Sequence, residues 1–528
     1  MKTIILFVVA VMDLACNSHA LRAQDPGSVP RSQSKFANLS SCAPAAFLIS
    51  EQGKLAGVDW VEYRANQVHT RTILMQSRVI DATIDLRPDQ TAAHSSVVLS
   101  IAGEAPDAPK TRDLGQGAIY LSDMIVSSVE QAVARARVLN QPVSHVLATS
   151  LYRDSPTDVL VERVDATDWT VTFRNKSYRV LTDEHGCMLS ASLPEYGVVI
   201  ERRSDFTAAQ YPLWPPYAAP PDGAYRASDV SIHAPQGHTL AGTLTMPLRG
   251  KLVPAAVLIT GLSPAERNGG VPPWMPLRDL ADALTRAGIA VLRVDDRGIG
   301  NSTGDHAPST TYDEADDVQT EMAWLRAQPG IDPKRIALVG YSEGGLIDLI
   351  VASKDPSIAA IVSLDGSGVP GPQLAREQTE QLVLHDPTIP AADREKEVEK
   401  ELAEPMTPRE RVFLTIDPLL YAGRVHCPSL ILQGGSDITV PIRSAEKIAN
   451  AIRSNGNSDV TVRIIPAVSH SMLPDPLGPS SGWLYLPAFA TSPVLLDVMT
   501  KWAATRLVTS NRKDMMQGVK LFRPLLGS

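Results

Sequence analysis

Residues 338–346 read LVGYSEGGL. Ahead of the serine, RIALVG (335–340) is a short apolar run bounded by a charge and a glycine, which reads as a buried strand. Behind it, GGLIDLIVASKD (344–355) carries apolar residues at helical spacing. Gly340, Ser342 and Gly344 satisfy the pattern G-x-S-x-G. That pattern needs small residues on both sides because the chain turns sharply and the serine backbone is strained. Five residues with two glycines also recur by chance, so the rest of the chain must decide between a nucleophile and a turn serine.

Working outward, the chain on either side of this stretch alternates strand and helix. AAVLITG (255–261), IAVLRVDD (289–296), IAAIVSLDG (358–366), SLILQGG (429–435) and VTVRIIP (460–466) are continuous apolar runs. Such runs mark strands buried on both faces of a mostly parallel sheet. Between them PLRDLADALTRAG, YDEADDVQTEMAWLRAQ and IRSAEKIANAIRS have helical periodicity. VSIHAPQGHTLAGTLTMP (230–247) reads as a hairpin turning near Gly237. The expectation for 227–508 is an α/β fold with a helical insertion at 369–426, placed after the sixth strand where it could form a lid. The charge run DREKEVEKELAEP inside that insertion reads as a solvated helix face.

The earlier half has a different texture. From 41 to 205 stretches such as SRVIDATIDLRP and WTVTFRNKSYRVLTDEHG alternate apolar and polar residues, as half-buried antiparallel strands do. Residues 122–140 have helical spacing instead. This is a β-rich accessory domain with one helix and no catalytic constellation; His145 and His185 are isolated. The proline-rich stretch within 206–226 reads as a stiff linker. Residues 24–40 read as a flexible leader, and 509–528 as a C-terminal tail.

At 528 residues the chain is long enough for two or three domains. A net charge of -9 leaves no basic footprint for nucleic acid and no polybasic cluster for a lipid surface. Residues 1–23 carry Lys2, an apolar run from Ile4 to Met12 and then small residues, the pattern of a secretory signal. That run is too short to span a bilayer. The expected destination is outside the cytoplasm, periplasmic or secreted. Without Cys16, the cysteines are Cys42, Cys187 and Cys427, which allow one disulfide and one free thiol. A Cys42–Cys187 bond would tie the start of the first domain to its end. No CxxC pair or His/Cys cluster suggests zinc.

In this context the serine gains partners. LILQGGSDITVP places Asp437 in a loop at a strand's C-terminal edge, and VRIIPAVSHSMLP places His470 in the loop after the next strand. Both emerge at the sheet edge where Ser342 sits, and the chain order Ser, Asp, His is that of an α/β-hydrolase triad. A serine hydroxyl needs a base to take its proton, and a carboxylate to hold the imidazole. Asp365 in IVSLDGSG competes with Asp437 for the acid's place; the GGSD-ITVP context favours Asp437. The developing oxyanion would meet the backbone N–H groups of Glu343 and of Leu262, in TGLSPAERNGG. The Glu343 side chain, not required for this, is expected to pair with a neighbour such as Arg267. DDRGIGNSTGD (295–305) lacks a phosphate-loop lysine and reads as a buttress for the site.

Residues 228–508 resemble a bacterial serine esterase of the α/β-hydrolase family. The branch is the one near dienelactone hydrolases and the catalytic domains of prolyl-oligopeptidase-type enzymes. The resemblance rests on ITGLSPAERNG, LRVDDRGIGNSTGD, VGYSEGG, LILQGGSDITVP and VSHSML. Leu262 departs from the small residue usual in the first motif. The resemblance implies hydrolysis of a small-molecule carboxylic ester, with neither metal nor organic cofactor. Two alternatives stand beside it: a serine peptidase or amidase of the prolyl-oligopeptidase type, and a binding protein on an inactive hydrolase fold. About 165 residues of β-rich sequence are too few for a large propeller. Association with a second copy is left open, and Trp274 and Trp483 could line a pocket.

Overall fold

The computed structural model describes residues 39–120, 126–150, 153–173, 176–386, 389–476 and 489–508. The expected signal sequence, most of the leader, the C-terminal tail and Trp483 lie outside the described residues. The chain divides into two compact units that meet between Pro215 and Pro216.

The first unit is a single sheet of thirteen strands among the described residues. Its first strand, Ala45–Glu51, and its last, Val198–Arg203, pair antiparallel in the middle of the sheet. From that centre the chain meanders outward to an edge strand at Lys110–Asp113. It restarts at the opposite edge with Ala118–Tyr120 and meanders back. Its parallel pair joins Ala118–Tyr120 to Val143–Ser150, and the helix Ser127–Leu139 makes that crossover, as parallel neighbours require. Asn140 ends the helix in the left-handed region, with φ 50°. The helix begins at Ser127, after Val126; residues 122–125 of the expected 122–140 lie outside the described residues.

That helix is buried nearly all round, including Glu130. The Glu130 carboxylate accepts the Tyr63 hydroxyl and the Met188 N–H (2.6 Å), with Arg202 at 3.4 Å. Burial pushes its pKa up to about 8 despite Arg202. Next to Met188, Cys187 is disulfide-bonded to Cys42. His145 and His185 are exposed, each beside a carboxylate.

The proline-rich stretch is docked at both ends rather than free. Tyr211 and Trp214 are buried in the first unit, where the Trp214 carbonyl accepts from Ser77 (2.6 Å). Tyr217 belongs to the second, stacked 4.5 Å from the Arg267 guanidinium and donating to Glu266 (2.5 Å).

The second unit is an eight-stranded sheet between two layers of helices. Its strands are β1 (Tyr225–His233), β2 (Thr239–Pro247), β3 (Val253–Ile259), β4 (Ala290–Val294), β5 (Ile331–Tyr341), β6 (Ala360–Leu364), β7 (Ser429–Gly434) and β8 (Val460–Ile465). Their spatial order is β1-β2-β4-β3-β5-β6-β7-β8. The β1–β2 hairpin is antiparallel and β2 runs antiparallel to β4; the rest are parallel. Helices α1 (Pro276–Arg286) and α2 (Thr311–Arg326) precede β5, and α3 (Glu343–Ala352) follows it. The insertion holds α4 (Gly371–His385), α5 (Arg394–Ala403), α6 (Pro408–Thr415) and α7 (Pro418–Ala422). Helices α8 (Ser444–Ser454) and α9 (Pro493–Leu507) complete the unit.

Side chains on alternate strand positions feed two cores. Val257 and Ile259 pack with α2, α3 and α8, while Ala256 and Leu258 pack with α1 and α9. This explains the continuous apolar runs. One departs from expectation: VTVRIIP forms the edge strand β8, half-exposed along most of its length, with Ile464 39% exposed. Helix α5, which holds the charge run, buries only Val398, so its charges are solvated. Among the described residues no helix is long and apolar enough to cross a membrane.

Candidate active site

Ser342 stands where β5 ends and α3 begins, with φ 55° and ψ −113°. A non-glycine residue holds such a conformation only where its surroundings over-determine it. Here the Ser342 N–H donates to Leu364 O (2.8 Å) and its carbonyl accepts from Gly345 N–H (3.0 Å). The flanking glycines are sterically required. A Cβ on Gly340 would lie 2.0 Å from Gly344 O, and one on Gly344 2.6 Å from both Ile259 O and Thr260 O. Buried Asp348, one turn into α3, accepts the Gly340 N–H at 2.8 Å and pins the strand end to the helix.

The sequence-predicted partners meet this serine. His470 Nε2 lies 3.1 Å from Ser342 Oγ, and His470 Nδ1 lies 2.8 Å from Asp437 Oδ2. Asp437 leaves the end of β7 in a tight turn, where its Oδ1 accepts the N–H groups of Thr439 (2.7 Å) and Val440 (2.9 Å). Gln433 donates to Oδ2 at 2.7 Å. The histidine loop is held by Ser436 N–H on Val468 O (2.9 Å) and by Asp475 N–H on Ala467 O (2.7 Å). Trp274 donates its indole N–H to Ser471 O (3.2 Å), so it braces the loop beside His470.

Asp365 is also present. Its oxygen, an Asp437 oxygen and a His470 nitrogen all lie within 4.8 Å of one another. Asp365 makes a different contact, however: its Oδ1 accepts the Gly434 N–H (2.6 Å). Burial first, then the Asp437 charge, drive its pKa well upward. For His470, burial acts downward, but the charge and hydrogen bond of Asp437 outweigh it and the imidazole titrates above its ordinary value. Asp365 adds a smaller push in the same direction.

The backbone N–H of Glu343, first residue of α3, is one of the donors a helix start leaves without an intrahelical acceptor. Gly261 lies against the serine; a Cβ there would sit 3.4 Å from Ser342 Cβ. Leu262 follows it in the adjoining loop. That loop is fixed from beneath by the two acids of DDRG. Asp296 accepts the Thr260 hydroxyl (2.6 Å) and the Ala265 N–H (3.0 Å). Asp295 accepts the Arg267 N–H (2.8 Å) and forks with its guanidinium at 2.9 and 2.7 Å.

The pairing expected between Glu343 and Arg267 is therefore absent, because Asp295 holds Arg267. Glu343 instead accepts from Arg409 at 2.7 and 3.2 Å, and from the Thr311 hydroxyl at 2.5 Å. Nothing in the residues around 409 singled that arginine out; its partner lies 66 positions away.

Two family models match within this unit. A model of the X-Pro dipeptidyl-peptidase (S15) family matches residues 216–369. A model described as BAAT / acyl-CoA thioester hydrolase, C terminal, matches 318–491. An uncharacterized protein of Mycobacterium tuberculosis is 27% identical over 244 residues, 46% of this chain and 72% of that protein. A thermostable monoacylglycerol lipase of a Bacillus species is 28% identical over 193 residues, 35% of this chain and 75% of the lipase. Among solved structures, an esterase of Pyrococcus furiosus aligns with a TM-score of 0.37 at 18% identity, covering 47% of this chain and 85% of the esterase. The strand order and the sharp turn at Ser342, together with the two matched models, give residues 216–508 the α/β-hydrolase fold.

Proposed function

We propose that the chain is an exported serine hydrolase that cleaves carboxylic esters through an acyl-enzyme. The observation that carries this reading is the continuous hydrogen-bonded line from Ser342 Oγ through the His470 ring to Asp437. Ser342 attacks the ester carbonyl while His470 Nε2 takes its proton, and Asp437 stabilises the imidazolium that results. The oxyanion is met by the N–H groups of Glu343 and Leu262. His470 then delivers the proton to the departing alcohol. In the second half it deprotonates a water that attacks the acyl carbonyl and frees Ser342. These steps call on no metal or organic cofactor. The Cys42–Cys187 disulfide supports export, since such bonds persist in oxidising compartments.

Initial rates on p-nitrophenyl esters from acetate to palmitate test the reading, with Ser342→Ala alongside. The expected result is turnover by the wild type that falls roughly 10,000-fold or more in the variant, with the chain-length optimum measuring the acyl pocket. Equal rates in both proteins would remove Ser342 from the chemistry. The matches at 216–369 and 318–491 support a peptidase and a thioester hydrolase as second readings. Proline-containing peptide anilides and acyl-CoA in the same assay separate these from ester cleavage.

A further inference from the structure

Glu343 is in an unusual position: its backbone N–H belongs to the proposed oxyanion hole, while its carboxylate is wholly buried beneath. Arg409, on α6 of the insertion, forks onto that carboxylate and reaches Glu314 of α2 with its other nitrogen at 2.7 Å. Thr311, at the start of α2, holds the remaining Glu343 oxygen, and Ser309 donates to Glu314 at 3.3 Å. Arg409 is 5% exposed and Glu314 7%. Burial acts to lower the Arg409 pKa, but the charges of Glu343, Glu314 and Asp296 outweigh it and keep the guanidinium protonated.

The same insertion also touches the acid loop. Leu374 of α4 packs in one cluster with Val369 and Val440, and Phe413 of α6 packs against it. Val440, with Thr439, donates its N–H to Asp437. Helices α4 and α6 meet closely, since a Cβ on Gly371 would lie 2.1 Å from Leu414 O. The insertion is thus fastened at the nucleophile and at the acid.

We infer that Arg409 is a positioning residue: through the Glu343 carboxylate it fixes the strained Ser342–Glu343 peptide, so that the insertion sets the aim of the oxyanion donor. The inference rests on the hydrolase reading above. The physical argument is that the left-handed Ser342 backbone needs external restraint, and that a planar two-pronged guanidinium fixes direction where an ammonium supplies only charge. Nothing in this role requires Arg409 to touch substrate.

The test uses the full-length protein and the preferred p-nitrophenyl ester. Arg409→Lys and Glu343→Gln are measured singly and together, with Glu377→Gln as a control for an exposed ion pair made by the same insertion. Rates are referred to folded protein from thermal melts, and Glu343→Gln keeps the test open if Arg409→Lys fails to fold. The expected result is a fall in kcat of about 10- to 100-fold in each single variant, with KM within threefold. The double variant should be no worse than the poorer single, and the control unchanged. Wild-type kcat in the folded single variants, additive losses in the double, or losses that track the folded fraction would overturn the inference. A wild type inactive on esters would instead defeat the hydrolase reading, and the inference with it.

Discussion

Asp437 and Asp365 both lie close to His470, yet they make different hydrogen bonds. Asp437 accepts N–H groups from Thr439, Val440 and Gln433 and bonds the His470 ring, while Asp365 accepts one, from Gly434, and has a buried oxygen without a partner. Asp437→Asn should therefore lower kcat roughly 1,000-fold or more, and Asp365→Asn less than about tenfold. The pH profile gives an independent check. His470 must be neutral to take the serine proton, so activity falls as pH drops through its pKa, which Asp437 holds above the ordinary value. In Asp437→Asn the residual activity should show its acid limb at lower pH, because the opposing charge is gone. The meeting of Ser342, Asp437 and His470 was legible in the sequence because each follows a recognisable strand. The grip of Arg409 on Glu343 was not, because no local pattern encodes which buried charge meets which across 66 residues.

At the scale of the element, the turn between β5 and α3 is set by backbone proximity. Gly344 faces the carbonyls of Ile259 and Thr260 at the end of β3, so a methyl there must push two elements apart. Gly344→Ala should cost about 1–3 kcal/mol in denaturant unfolding. It should also lower kcat by about tenfold or more, since the displaced atoms carry Ser342. The strands of the second unit were readable because burial on both faces leaves an uninterrupted apolar run. The exception, β8, shows the limit of that signal: Val460 and Val462 reach the core only partly, and an edge strand can carry the same letters as a central one. The insertion was readable as helical from its periodicity. Its attachment was not, because the docking contacts are single residues such as Arg409 and Phe413.

Across the whole molecule, the first unit depends on long-range closure. Cys42 and Cys187 are 145 positions apart, and the strands that follow them, Ala45–Glu51 and Met188–Leu193, lie on either side of Val198–Arg203 at the centre of the sheet. Replacing both cysteines by serine should lower the stability of this unit by about 2–5 kcal/mol, read from its denaturant midpoint. Alternation in the sequence revealed the β character of this region, and helical spacing revealed the helix Ser127–Leu139. The strand order stayed hidden, because pairing such as Ala46 with Arg203 is decided by the returning half of the chain.

The disulfide also decides how this unit bears force. Ala46 and Arg203 face each other where the chain enters and leaves the sheet, so tension between the two ends would unzip the central pair one bond at a time. With Cys42 joined to Cys187, the load passes across the sulfurs, and the segment between them is never pulled. Only the roughly thirty residues leading from the bond to the second unit can pay out, a tether of roughly 100 Å at 3.3–3.6 Å per residue. Reduction would release the whole sheet to the same pull. A hydrolase carried on such a unit keeps its leash short only while its surroundings are oxidising.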